Sequence, residues 1–120
     1  MAIRRERGAL ERSVMRILWE ADAPIAGRDV RDRLAAEGHD LALTTVLTVL
    51  SRMEQKGSVA RTLSDDGSGV RFAAVHSESE SAVTSMVDAL AAVTDRAAVL
   101  QRFTGSLTDA DLQALRDALR

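Results

Sequence analysis

Apolar residues recur at the spacing of amphipathic helices through the first half of the chain. This pattern predicts three helices, over residues 9–21, 27–37 and 42–56, with a very short strand at Ile25 and Ala26 between the first two. The positions that form the apolar stripes are Leu10, Val14, Met15, Leu18, Trp19, Val30, Leu34, Val46, Val49, Leu50 and Met53.

Residues that start or stop helices stand near the ends of these segments. Gly8, with Glu11 three residues on, is predicted to cap the first helix. Gly38 is predicted to end the second helix, and Lys56-Gly57 the third, because glycine adopts the left-handed conformation of a helix C-terminus.

After Gly57 the period changes from 3.6 to 2, which is typical of strands. The alternation runs over residues 59–63. A turn-forming segment rich in Ser, Asp and Gly follows at 64–69, and residues 70–75 are predicted to form the returning strand. Three helices followed by a β-hairpin predict a winged helix-turn-helix domain over residues 1–76.

The remaining residues, 77–120, predict three more helices, over 80–94, over 96–103 and from Thr108 with Asp111 in the capping-box position. Their apolar seams are too extensive for so small a segment to bury by itself. We therefore expect a helical dimerisation domain here, although packing of the seams back onto the first domain is the alternative. The candidate dimerisation residues are Val83, Met86, Val87, Leu90, Phe103, Leu112, Leu115 and Leu119.

Composition narrows the class of protein further. Apolar residues make up 46% of the 120-residue chain, aromatic residues only 2%, and there is no cysteine. The absence of cysteine excludes disulfides and thiolate sites and suits a cytoplasmic location, and no apolar run is long enough to span a membrane. Residues 1–76 carry 12 basic and 11 acidic side chains, and residues 77–120 carry 4 and 7. Any DNA-binding surface must therefore concentrate its cations on one face.

The outward side of the third predicted helix carries an unusual set of residues. Thr44, Thr45 and Thr48 lie in its N-terminal half, and Arg52 and Lys56 lie towards its C-terminal end. Threonine is a poor choice for an exposed helix, so three of them indicate a role beyond helix formation. Threonine hydroxyls and methyls can contact base edges in the major groove, while the cations can reach phosphates. An ordinary solvated helix face is the alternative.

The predicted hairpin offers further candidates for DNA contact. Arg61 and Arg71 lie on its two strands, where they could contact the backbone of a duplex. Asp65 and Asp66 in the turn would repel phosphates if they faced DNA. Three arginines near the N-terminus, Arg4, Arg5 and Arg7, could also touch the backbone.

No enzyme or cofactor site is indicated by the sequence. His39 and His76 have no metal-ligand spacing around them, and no glycine-rich phosphate loop is present. The serines lack an acid or base partner in a recognisable motif. We therefore expect a protein that is not an enzyme and has neither cofactor nor metal.

The chain resembles the BlaI/MecI/CopY transcriptional regulators, the penicillinase repressor family, over nearly its whole length. The resemblance rests on the segment from Leu10 to Trp19, on Arg71-Phe72, and above all on the segment from Thr44 to Met53 with Lys56-Gly57. It implies a homodimer that binds a double-stranded, palindromic DNA operator and represses nearby genes. Genes of the β-lactam-resistance type are one candidate class of target. Within the family pattern, Thr45, Thr48, Arg52 and Lys56 fall on the recognition helix.

Two features depart from the pattern of relatives. Some relatives are inactivated by cleavage at an Asn-Phe bond, whereas here Arg102 precedes Phe103. The copper-responsive branch carries a cysteine-rich tail, which this chain lacks.

Two alternative functions remain. One is a winged-helix module that binds only proteins, and the other is a regulator that senses a ligand between two domains.

Overall fold

The computed structural model describes the backbone of residues 2–120 and the side chains of residues 8–120. The chain forms two compact units, residues up to 80 and residues 81–120. Its elements are α1 (Ala2–Glu20), β1 (Ile25–Ala26), α2 (Gly27–Ala36), α3 (Leu43–Gln55), β2 (Val59–Leu63), β3 (Val70–Ala74), α4 (Glu78–Ala91), α5 (Arg96–Thr104) and α6 (Asp109–Ala118). The mainly helical fold with a small sheet confirms the predicted winged helix.

Helix α1 begins well before the predicted start. It runs from Ala2, so Gly8 lies inside the helix and the prediction that Gly8 caps it is wrong. A glycine inside a helix costs about 1 kcal/mol relative to alanine, which the apolar contacts of the later turns offset. The side chains of Arg4, Arg5 and Arg7 lie outside the described residues.

Helices α2 and α3 form the helix-turn-helix pair. Helix α2 begins directly after β1, and α3 begins after Ala42 in extended conformation. At the end of α3, Gly57 has a φ of 87°, and the amide of Ser58 donates to the carbonyl of Met53 at 3.1 Å. Glycine meets this left-handed requirement without strain, so the chain can leave α3 directly into the hairpin.

The three strands form one antiparallel sheet in the order β1-β3-β2. Ile25 pairs with Phe72, and Arg61 pairs with the same Phe72 from the other side. Phe72 is therefore at the centre of the sheet, where it is 2% exposed. The short strand β1 thus joins the hairpin to the start of α2.

The core of the first unit lies between α1, α2, α3 and the sheet. Its buried residues come from the three helices and from strands β2 and β3. They are Val14, Ile17, Leu18, Val30, Leu34, Val46, Val49, Leu50, Met53, Val59 and Phe72. All four predicted core positions of α3 are among them. The packing fixes which side of α3 is left to face outward.

The second unit contains the last two helices and most of α4. Helix α4 begins at Glu78, two residues before the predicted start, because the Ser77 hydroxyl accepts a hydrogen bond from the amide of Glu80. Helix α6 begins as predicted, with a reciprocal capping box between Thr108 and Asp111. Over the described residues, the helices do not combine the length and apolar character needed to cross a bilayer.

Candidate nucleic-acid interface

Helix α3 presents opposite chemistry on its two sides. Val46, Val49, Leu50 and Met53 are at most 6% exposed. The side chains of Thr44, Thr45 and Thr48 are exposed on the outward side, and Arg52 is half-buried beside them. The helix thus leaves short hydroxyl side chains accessible along its N-terminal half.

The hydroxyl of Thr48 is already engaged within the helix. It donates a hydrogen bond to the carbonyl oxygen of Thr44 at 2.9 Å. Because a hydroxyl has one hydrogen and two acceptor lone pairs, the oxygen of Thr48 remains able to accept. Thr48 can therefore offer a partner an acceptor and a methyl group.

The cation at the C-terminal end of α3 has a protein partner. Lys56 Nζ lies 3.1 Å from Glu11 Oε1 and 3.4 Å from Glu11 Oε2. This ion pair connects the end of α3 to α1 and lowers the positive charge that Lys56 presents outward. Glu11, expected to cap α1, instead has this role.

Arg61 on β2 is also paired. Its Nε lies 3.3 Å from Glu54 Oε1, and one terminal nitrogen donates to the Ser51 hydroxyl at 3.1 Å. Its guanidinium carbon lies 5.4 Å from the centre of the Phe72 ring. The sequence pattern does not predict these contacts. They join a helix to a strand, and the periodicity within each element does not show which residues of the two elements meet.

Arg71 and the turn between β2 and β3 form the far part of the hairpin. The Asp66 carboxylate accepts from the Ser68 amide at 2.9 Å and from the Ser64 hydroxyl at 2.8 Å. Hydrogen bonds from the hydroxyl and amide of Ser68 and from the Ser64 hydroxyl, with a smaller contribution from the charge of Arg71, lower the pKa of Asp66 to about 2. The tip is therefore an ordered turn whose acidic side chain is ionised at neutral pH.

A groove of about 630 Å³ runs between the start of α2, the outward side of α3 and the hairpin. Its lining includes three arginines, Arg28, Arg61 and Arg71, together with Leu47 and Ser51. Arg28 did not stand out in the sequence, because its position beside the groove depends on the packing of α2. The structure thus places Arg61 and Arg71 together at one groove, next to the polar side of α3.

The predicted dimerisation residues lie on α4, α5 and α6 of the second unit. Six of them are between 37% and 85% exposed, and these are Val83, Met86, Val87, Phe103, Leu115 and Leu119. Leu90 and Leu112 are half-buried. A small apolar pocket of about 200 Å³ lies between α4 and α5 and is lined by Met86, Leu90 and Phe103 among others.

Known proteins resemble this chain in sequence and in fold. The family model described as penicillinase repressor matches residues 7–120. Two curated relatives from Mycobacterium tuberculosis, of strains CDC 1551 and H37Rv, are each named transcriptional regulator BlaI. Each is 42% identical to the chain over 115 residues, which cover 93% of this chain and 81% of the relative.

A solved structure, that of the Helicobacter pylori ferric uptake regulator Fur, shares the fold with a TM-score of 0.54 and 14% sequence identity. The match covers 65% of this chain and 53% of that one. Fur has three functional metal-binding sites in that structure. Among the side chains described here, no three His, Asp or Glu residues lie together where they could hold a metal ion.

The family match extends over both structural units, and the relatives match over nearly the same length. The fold is that of a winged helix, and α3 has an exposed polar side opposite its buried aliphatic side. The chain therefore belongs to the penicillinase repressor family of transcriptional regulators.

Proposed function

We propose that the chain represses transcription as a homodimer that binds a palindromic DNA operator through α3. The observation that carries this proposal is the exposure of Thr44, Thr45 and Thr48 on the side of α3 opposite its buried aliphatic stripe. A helix of this kind fits the major groove, where its first turns contact base edges.

The contacts divide into those that read bases and those that fix position. Thr44, Thr45 and Thr48 read bases, with Thr48 accepting from the amino group of adenine or cytosine or packing its methyl on that of thymine. Arg52 and Arg71 contact phosphates, which sets the register of the protein on the duplex. Arg28 joins them from the start of α2, beside the groove. Lys56 also contributes, to the extent that Glu11 releases it.

The second unit supports the dimeric part of the proposal. None of its helices contains a buried residue in the described chain, although each carries an apolar seam. A second copy would cover these seams, since a unit of this size cannot form a sufficient core by itself. In the dimer, two copies of α3 would enter successive major grooves about 34–36 Å apart, or a multiple of that distance.

The test of DNA reading is selection of a duplex from a random-sequence library by the full chain. We expect enrichment of a palindromic site that is bound at least about a thousandfold more tightly than random duplex. Thr48→Ala should lower this ratio. Thr104→Ala is the control, because Thr104 also donates to a backbone carbonyl of its own helix, that of Gln101 three residues back, but lies on α5. A chain that enriches no sequence would contradict this part of the proposal and favour the alternative of a module that binds proteins.

The test of assembly is the mass of the chain in solution, measured by light scattering. The wild-type chain should be a dimer, and Met86→Glu should shift it to a monomer because it places a charge in the apolar seam. Leu63→Glu is the control, because Leu63 is 76% exposed on β2, outside the proposed dimer surface. A monomeric wild-type chain at micromolar concentration would contradict this part of the proposal.

A further inference from the structure

We infer that Arg61 is a positioning residue that fixes the hairpin against α3, rather than a ligand of DNA phosphate. This inference rests on the proposed DNA-binding function. It concerns how the two DNA-contacting parts of one protomer, the outward side of α3 and the hairpin of β2 and β3, keep a fixed relation to each other.

The first observation is the double contact of the guanidinium with α3. Arg61 Nε lies 3.3 Å from a carboxylate oxygen of Glu54, and a terminal nitrogen donates to the Ser51 hydroxyl at 3.1 Å. Ser51 and Glu54 are three residues apart on α3, so they lie on one side of the helix. The planar guanidinium spans both partners, which a lysine ammonium on its flexible stem would not do in one fixed geometry.

The second observation is the contact with the other strand of the hairpin. Arg61 is paired across the sheet with Phe72, and its guanidinium carbon lies 5.4 Å from the ring centre, within the range of a cation–π interaction. Phe72 is 2% exposed and belongs to the core. One side chain thus connects α3, β2 and β3.

The third observation is that the charge of Arg61 is already matched. The side chains of Arg61 and Glu54 are 43% and 38% exposed, so solvent reaches both, but each charge already has the other as its partner. Glu54 and Ser51 leave some N–H donors of the guanidinium free, but the nearby Glu54 carboxylate would repel a phosphate that approached them. Half-exposed ion pairs contribute little to folding stability, so the pair can be removed without unfolding the domain.

Together these contacts give Arg61 a role in specificity. If the hairpin could pivot, its cation Arg71 would no longer meet the duplex in register with Thr48 on α3. Fixing the angle lowers the entropy lost on binding and so favours the site at which both parts fit. Loss of the contacts that Arg61 makes with α3 and with Phe72 should therefore lower affinity for the selected site more than affinity for DNA in general.

The experiment compares Arg61→Ala, Glu54→Ala and their double variant in the full chain. The probes are the duplex that the wild-type chain enriches from a random library and a scrambled duplex of the same composition. Each single variant should bind the enriched duplex about five- to thirtyfold more weakly, and the double variant should lose no more than a single one. Affinity for the scrambled duplex should fall in Arg61→Ala, which removes a positive charge, and rise in Glu54→Ala, which removes a negative charge.

Three further variants separate positioning from general effects. Glu54→Gln keeps an acceptor for Arg61 and should retain most of the preference for the enriched duplex. Arg61→Lys keeps the charge but not the fork, so it should lose the preference while binding scrambled duplex normally. Arg16→Ala is the charge control, since Arg16 pairs with Glu37 between α1 and α2, and it should leave the preference unchanged.

A direct contact between Arg61 and a phosphate would give a different set of results. If Arg61 holds a phosphate, Glu54→Ala will tighten binding to both duplexes, and Arg61→Ala will weaken both equally and reduce the salt slope by about one. That outcome overturns the positioning role and leaves the proposed function intact. If the wild-type chain enriches no sequence, the proposed function fails and the inference fails with it.

Discussion

The Thr48 hydroxyl lies 2.9 Å from the carbonyl oxygen of Thr44 and donates to it, one turn back along α3. This hydrogen bond uses the only hydrogen of the hydroxyl inside the helix. Any base contact made by Thr48 must then use its oxygen as an acceptor or its methyl group as an apolar surface. The geometry therefore makes the two modes separable by substitution.

We expect Thr48→Val and Thr48→Ser to separate these two modes. Valine keeps the shape and the methyl but loses the acceptor, and serine does the reverse. If Thr48 accepts from a base, Thr48→Val should cost about 1–3 kcal/mol on the selected duplex, and Thr48→Ser should cost little. Binding titrations on the selected duplex and on single-base variants will measure this. The reverse order would assign the contact to the methyl, and equal affinity of both variants and wild type would remove Thr48 from the base-reading set.

The ion pair between Lys56 and Glu11 leads to a prediction about salt dependence. Because Glu11 holds Lys56 at 3.1 Å, Lys56→Gln should flatten the slope of log affinity against log salt by less than the value of about one expected for a free phosphate contact. Glu11→Gln should release Lys56, tighten binding to all duplexes and steepen the slope.

Glu20→Gln provides the matched control for this measurement, since it removes the same charge elsewhere on α1. It should change the slope much less than Glu11→Gln does. An effect of equal size from both variants would show that net charge, and not release of Lys56, controls the binding.

The two sides of α3 should also respond differently to loss of a leucine side chain. Leu50 is 0% exposed in the core, whereas Leu47 is 37% exposed beside the groove. Leu50→Ala should lower the free energy of unfolding by about 2–5 kcal/mol, because it leaves a cavity. Leu47→Ala should cost much less. Urea denaturation followed by circular dichroism will compare them, and similar costs for both would mean that α3 packs in another orientation.

Periodicity was sufficient to predict the helices of the winged helix, because apolar spacing reflects directly which side each helix buries. The stripe of Val46, Val49, Leu50 and Met53 is an example, and its burial leaves the threonines outward. The start of α1 was missed, because local capping rules do not register that a helix tolerates an internal glycine such as Gly8.

The pairing of the cations was beyond sequence reasoning for a different reason. Glu11 and Lys56 are 45 residues apart, and Glu54 meets Arg61 only after the chain turns at Gly57. Such contacts depend on how elements pack, which no period along the chain encodes. Residue type and position along the chain indicated Lys56 and Arg61 as DNA contacts, whereas the structure shows that each already has an acidic partner.

The hairpin tip should respond to acid only at very low pH. The pKa of Asp66 is lowered from 3.8 to about 2 by hydrogen bonds from Ser68 and Ser64, so folding of the tip favours the ionised carboxylate. A group whose pKa is depressed by folding stabilises the folded state fully above its unfolded pKa, and this contribution is lost as the pH falls through the folded pKa. The tip should therefore stay ordered above about pH 4 and loosen between about pH 4 and 2.

Amide chemical shifts of Ser68 and Gly69, followed by NMR, will report the transition. In Asp66→Asn, which has no carboxylate to titrate, the shifts of these two amides should no longer follow a titration with a midpoint near pH 2. A midpoint near 4 in the wild-type chain would show that the serine hydrogen bonds do not hold the carboxylate in solution.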